Sequence, residues 1–152
     1  MAMAIGVGDQ APDFQLPSSQ GGTIRLQDLR GQPVVVFFYP KDDTPGCTTE
    51  ACSFQENLAQ FQNLKATVLG ISGDDLKSHQ RFAAKHNLTF PLLADVGNLV
   101  RQRFGVPPAL FLPGRVTYVI DGEGVVRLVF NSLLKATAHV QEARACLETL
   151  AT

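Results

Sequence analysis

The chain has 152 residues, 45% hydrophobic and 18% charged, a balance that suits one globular domain over residues 1–152. Its net charge of −1 gives no electrostatic basis for binding nucleic acid or an anionic membrane, and no apolar stretch approaches the roughly 20 residues that cross a bilayer. Three cysteines, an odd count, argue against an extracellular disulfide framework and for thiols kept in a reducing compartment.

Met1-Ala2-Met3-Ala4-Ile5-Gly6 is too short for a signal peptide and lacks its basic start, so a cytoplasmic location is expected, or a plastid had a transit peptide been removed. Phe14 to Leu16 and Thr23 to Leu26 flank the turn Ser18-Ser19-Gln20-Gly21-Gly22 and predict a small hairpin. Asp28-Leu29-Arg30-Gly31 predicts a single helical turn with a glycine stop. Val34-Val35-Val36-Phe37-Phe38-Tyr39, the most apolar run, reads as a strand buried on both faces, ended by Pro40. A helix is expected from the turn Pro45-Gly46 to about Leu64, then a second buried strand over Thr67 to Ser72.

Asp74 to Asn87 predicts the next helix, Phe90 to Ala94 a short extended run, and Asp95 to Phe104 a short helix ended by Gly105. Arg115 to Ile120 and Val125 to Phe130 are strands joined by Asp121-Gly122-Glu123-Gly124. Thr137 to Leu150 closes the chain as an amphipathic helix with Val140, Ala143, Leu147 and Leu150 inward. Parallel strands with crossover helices, followed by an antiparallel hairpin and a closing helix, give an α/β fold. The expected architecture is a thioredoxin-like three-layer sandwich: a mixed central sheet, flanking helices and an N-terminal β-hairpin.

The chemistry concentrates in Thr44-Pro45-Gly46-Cys47-Thr48-Thr49-Glu50-Ala51-Cys52. At about 100° per residue, Cys47, Ala51, Phe54, Leu58 and Phe61 share one stripe, so Cys47 should look inward from the first helical turn. Unsatisfied N–H groups and the helix dipole favour an anion there, and the thiolate is the reactive form of cysteine. Cys52 is a natural partner for an oxidised Cys47. Along an ideal helix, however, their Cα atoms stand about 8.6 Å apart, against the roughly 4.4–6.8 Å a disulfide needs. A bond between them requires the first turn to unwind.

Pro40-Lys41-Asp42-Asp43-Thr44-Pro45-Gly46-Cys47-Thr48 resembles the peroxiredoxin active-site pattern of Pro, Thr and Cys, and Glu50-Ala51-Cys52 extends the likeness to the peroxiredoxin Q subfamily, also called bacterioferritin comigratory protein. Gly8-Asp9-Gln10-Ala11-Pro12-Asp13-Phe14 resembles that family's entry segment, and Leu112 to Asp121 its arginine strand. The resemblance implies that Cys47 is the peroxidatic nucleophile, oxidised to a sulfenic acid by hydrogen peroxide or an organic hydroperoxide. Thr44 would hydrogen-bond the thiolate and peroxide, Arg115 would stabilise both, Pro40 would shield the thiol, and the backbone N–H groups of Gly46 and Cys47 would bind substrate. Glu50 would orient Arg115. Cys52 would resolve the sulfenic acid as an intrachain disulfide, reduced in turn by thioredoxin or a related dithiol protein. No cofactor and no metal are implied, and a monomer is. The arginine strand and its successor look most like photosynthetic members of the subfamily.

Other readings compete. A thioredoxin-like disulfide oxidoreductase usually carries two cysteines separated by two residues, whereas four intervene here. A thiol redox sensor or a copper-binding protein of the same fold is the non-enzymatic alternative, although copper favours clustered soft ligands with a histidine nearby, and the cysteine loop has none in sequence. Cys146 reads as structural; Arg101, Arg103 and Arg127 as surface charges; His79 and His86 as half-buried packing residues. His139 carries no signal.

Overall fold

The computed structural model describes residues 4–151. In chain order it contains β1 (Gln15–Pro17), β2 (Thr23–Arg25), a 3-10 turn (Leu26–Leu29), β3 (Val34–Phe38), α1 (Pro45–Glu56), α2 (Leu58–Asn63), β4 (Thr67–Ser72), α3 (Leu76–Lys85), β5 (Leu92–Ala94), α4 (Leu99–Phe104), β6 (Val116–Ile120), β7 (Val126–Asn131) and α5 (Ala136–Leu150). β1 and β2 form the expected hairpin. The other strands form one sheet in the order β5-β4-β3-β6-β7. β3 runs parallel to β4 and antiparallel to β6, which makes the sheet mixed.

All five residues of β3 are buried, because the strand is central and both faces are covered. Val35 and Phe37, with Tyr39 just beyond, pack into a cluster with Cys47, Ala51, Phe54, Phe82, Val140 and Leu147 from α1, α3 and α5. Val34, Val36 and Phe38 pack on the opposite face with Phe14, Leu16, Val100, Phe104 and Tyr118. The period-2 alternation of a strand thus feeds two cores, and the three-layer thioredoxin-like plan follows. Among the described residues no helix is long and apolar enough to cross a membrane.

Several details differ from the expectation, among them the start of the helix expected from Asp95, which begins at Leu99. The cysteine helix breaks at Asn57, whose side-chain amide donates to the Ser53 carbonyl at 2.8 Å, although Leu58 and Phe61 continue the buried stripe. α3 starts two residues later than Asp74 because Asp75 caps it, accepting from the Ser78 N–H, while Asp74 accepts from the Ser72 hydroxyl. Leu150 lies at the frayed end of α5 and is exposed, not inward.

Candidate active site

Cys47 lies in the first turn of α1, a helix that begins with Pro at its first position. Its side chain is 1% exposed, facing the sheet among Phe37, Tyr39 and Phe54. Arg115, the residue before β6, reaches it from the sheet: Nη2 donates to Cys47 Sγ at 3.5 Å. The same guanidinium donates from Nη1 to Glu50 Oε1 at 2.7 Å and from Nε to the Leu133 carbonyl at 2.8 Å. Three fixed partners leave it one orientation. Gly46 makes room for it, since a Cβ there would stand 2.9 Å from Arg115 Nη2.

Glu50 is fully buried one turn after Cys47. Burial pushes its carboxyl up to about 8, against the opposing pull of Arg115. Burial also works against the Arg115 charge, but Glu50 and then Cys47 outweigh it and raise the guanidinium above its ordinary value. The second Glu50 oxygen, Oε2, is buried without a hydrogen-bond partner, 3.5 Å from His139 Nδ1. His139 Nε2 donates to the Ser132 carbonyl at 2.7 Å, which leaves Nδ1 to accept from the Thr117 hydroxyl at 2.8 Å. Burial holds His139 down to about 4, so it stands neutral behind Glu50.

Thr44 is the N-cap residue of α1, but its hydroxyl donates to the Lys41 carbonyl at 2.9 Å rather than capping the helix. Pro40, half-buried, leads the chain out of β3 toward that loop. The loop is tied down through Asp42, which accepts from Tyr39 Oη at 2.5 Å and Ser78 Oγ at 2.8 Å and pairs with His79 Nδ1 at 2.7 Å. Asp42, Asp74 and His79 offer ligand atoms within 4.8 Å of one another, the kind of group that can hold a cation. Those atoms are already committed, because Asp74 binds the Asp42 N–H and Ser72 hydroxyl and His79 Nε2 faces the Leu93 carbonyl. The cluster works as a clamp on the loop.

Cys52 is half-buried further along α1, and all three cysteines are free thiols. Burial, then the charge of Glu56, raises the Cys52 thiol. Cys146 is half-buried and packs against the core at its edge, its thiol also raised by burial.

The fold therefore gathers Cys47, Arg115, Glu50 and Gly46 at one point, with Pro40 and Thr44 on the adjoining loop. Arg103 and Arg127 are exposed as expected. Arg101 is not: it is buried, bonded to the Tyr39 and Gly114 carbonyls. His79 is also wholly buried rather than half-buried. His139 was missed although it sits on the α5 stripe, three residues after Ala136 and four before Ala143, both buried. A polar residue on an apolar stripe was the available signal.

Residues 7–129 match the AhpC/TSA family model. The chain is 46% identical over 148 residues to the chloroplastic peroxiredoxin Q of Populus jackii, covering 96% of this chain and 70% of that protein. It is 47% identical over 145 residues to the chloroplastic peroxiredoxin Q of Sedum lineare, covering 94% and 78%. Among solved structures, a peroxiredoxin Q cysteine mutant from Xylella fastidiosa superposes with a TM-score of 0.91 at 31% identity, covering 99% of this chain and 100% of the other. The peroxidoxin BcpB of Mycobacterium tuberculosis does so with a TM-score of 0.88 at 38% identity, covering 95% and 97%. The relatives are peroxiredoxins by name, and the chain belongs to the AhpC/TSA family, in its peroxiredoxin Q branch, as a thiol-dependent peroxidase.

Proposed function

We propose that Cys47 is the peroxidatic nucleophile and Cys52 the resolving thiol of a two-cysteine cycle. The Cys47 thiolate attacks the terminal oxygen of a peroxide, the O–O bond breaks, and the leaving oxygen takes up a proton as water or alcohol. Cys47 is left as a sulfenic acid. Cys52 then attacks that sulfur, water leaves, and an intrachain disulfide forms. A thioredoxin-type dithiol returns two electrons and two protons and restores both thiols.

The observation that carries this reading is the 3.5 Å contact between Arg115 Nη2 and Cys47 Sγ inside the first turn of α1. A fixed guanidinium there favours the thiolate and the negative charge that develops on the peroxide oxygens. Glu50 fixes Arg115, Pro40 screens the thiol, and the Gly46 N–H and Thr44 hydroxyl bind the peroxide, Thr44 after releasing the Lys41 carbonyl. The protein acts as a monomer on hydrogen peroxide and organic hydroperoxides, in the cytoplasm, or in a plastid as its plant relatives' names suggest for them.

A thioredoxin-coupled assay tests the cycle. Cys47→Ser should abolish turnover, and Cys52→Ser should allow one stoichiometric oxidation without thioredoxin-driven turnover. Sustained turnover by Cys47→Ser would contradict the assignment. A redox sensor would instead oxidise stoichiometrically in the intact protein without sustained turnover.

A further inference from the structure

Arg101 is an unusual group to find in this interior. It is 6% exposed, and no carboxylate of the described residues lies within ion-pairing distance of its guanidinium. Asp95, whose charge acts on it, spends its oxygens on the Val100 and Arg101 backbone N–H groups at 3.1 and 3.0 Å. Arg101 Nε is buried with no hydrogen-bond partner. Burying a cation without a counter-ion is costly, and an arginine cannot shed its proton to escape that cost. Such groups tend to mark functional sites.

Its two short bonds say which site. Nη2 donates to the Tyr39 carbonyl and Nη1 to the Gly114 carbonyl, both at 2.5 Å. Tyr39 immediately precedes Pro40 and the loop that leads to Cys47; Gly114 immediately precedes Arg115. One guanidinium therefore bridges the two segments that deliver the thiol and its cationic partner. The Phe38 ring lies under it, 5.6 Å from Cζ. Gly114 itself has no room for a side chain, because a Cβ there would come 2.0 Å from the Pro107 carbonyl oxygen.

Cys47 is touched by Arg115, the residue before β6, and shares a buried cluster with Tyr39, just beyond β3; Glu50 from α1 and His139 from α5 stand behind Arg115. Arg101 itself feels Asp95, Cys47, Tyr118 and Tyr39. Glu50 pairs with Arg115, whereas among the described residues no carboxylate pairs with Arg101.

We propose that Arg101 is a positioning residue of the peroxidase site, its two-carbonyl bridge setting the Pro40 loop against Arg115. This rests on the reading of Cys47 as the nucleophile.

The test compares wild type with Arg101→Met and Arg101→Lys. The single-turnover rate of Cys47 oxidation by hydrogen peroxide at pH 7 and the rate of Cys47 alkylation by iodoacetamide, resolved by mass spectrometry, are followed beside the melting temperature. In Arg101→Met the peroxide rate should fall about tenfold or more, while alkylation, which needs no peroxide aligned between the loop and Arg115, should change less than about twofold. Arg101→Lys keeps the charge but not the two-carbonyl fork, so its peroxide rate should stay low. A folded Arg101→Met with a wild-type peroxide rate would overturn the proposal, even if its melting temperature fell. Should Arg101→Met not fold, a wild-type peroxide rate in Arg101→Lys would do the same. Failure of the underlying reading is distinct: wild-type Cys47 would then not react with peroxide at all.

Discussion

Arg115 does three jobs with one planar group, and lysine cannot copy them. Its donors meet Cys47, Glu50 and the Leu133 carbonyl at fixed angles, whereas an ammonium is a single point charge. Arg115→Met should lower the second-order rate with hydrogen peroxide about 100-fold or more, and Arg115→Lys should recover only part of it, as stopped-flow oxidation would report. Gly46→Ala probes the same geometry from the other side. Its new methyl would meet Arg115 Nη2, so the peroxide rate should fall several-fold while the melting temperature changes little. A full rate in that variant would contradict the close approach. At this scale the sequence exposes Cys47 and its turn because Thr44, Pro45 and Gly46 each impose a local constraint. The roles of Arg101 and His139 stay hidden because their partners, the carbonyls of residues 39, 114 and 132, are backbone groups with no side-chain signature.

α1 is the element on which the cycle turns. Both reactive thiols sit on it, too far apart for a bond while it stays helical: about 8.6 Å between Cα atoms on an ideal helix, against at most roughly 6.8 Å. Its first turn is weakly held. Thr44 makes no side-chain cap bond, and Gly46, Thr48 and Thr49 have modest helix propensity. Oxidation should therefore release the amides of residues 46–52 to fast hydrogen exchange while the central sheet and α5 keep their protection. A disulfide form with the same exchange pattern as the reduced form would contradict local unwinding. The helix and its buried stripe are legible from the spacing of Cys47, Ala51, Phe54, Leu58 and Phe61. The break at Asn57 is not, because the apolar pattern runs straight through it.

Across the whole molecule, the burial of Glu50 on α1 and of His139 on α5, their side chains 3.5 Å apart, makes stability depend on pH. Glu50 rises from 4.5 to about 8 on folding, so the folded chain holds a proton the unfolded chain has lost, and stability declines as pH climbs through that window. His139 falls from 6.5 to about 4, so its contribution runs the other way, rising with pH over that range. The two nearly cancel between 4.5 and 6.5, which leaves a decline of about 2 kcal/mol between pH 6.5 and 8 from Glu50 alone. Urea denaturation at several pH values should show that decline in wild type and not in Glu50→Gln. In His139→Gln it should begin near pH 4.5. An unchanged slope in Glu50→Gln would contradict the buried, protonated carboxyl. The mixed sheet and both hairpins are legible from strand character and turns, but the order β5-β4-β3-β6-β7 is not. Long-range pairing depends on which faces find cover, and that is decided by both cores together.

The most direct measurement is peptide mapping after one equivalent of hydrogen peroxide is added to the fully reduced protein. The account predicts a rapidly formed disulfide between Cys47 and Cys52, with Cys146 still a free thiol. Three unreacted thiols, or a disulfide that leaves Cys47 out, would contradict it.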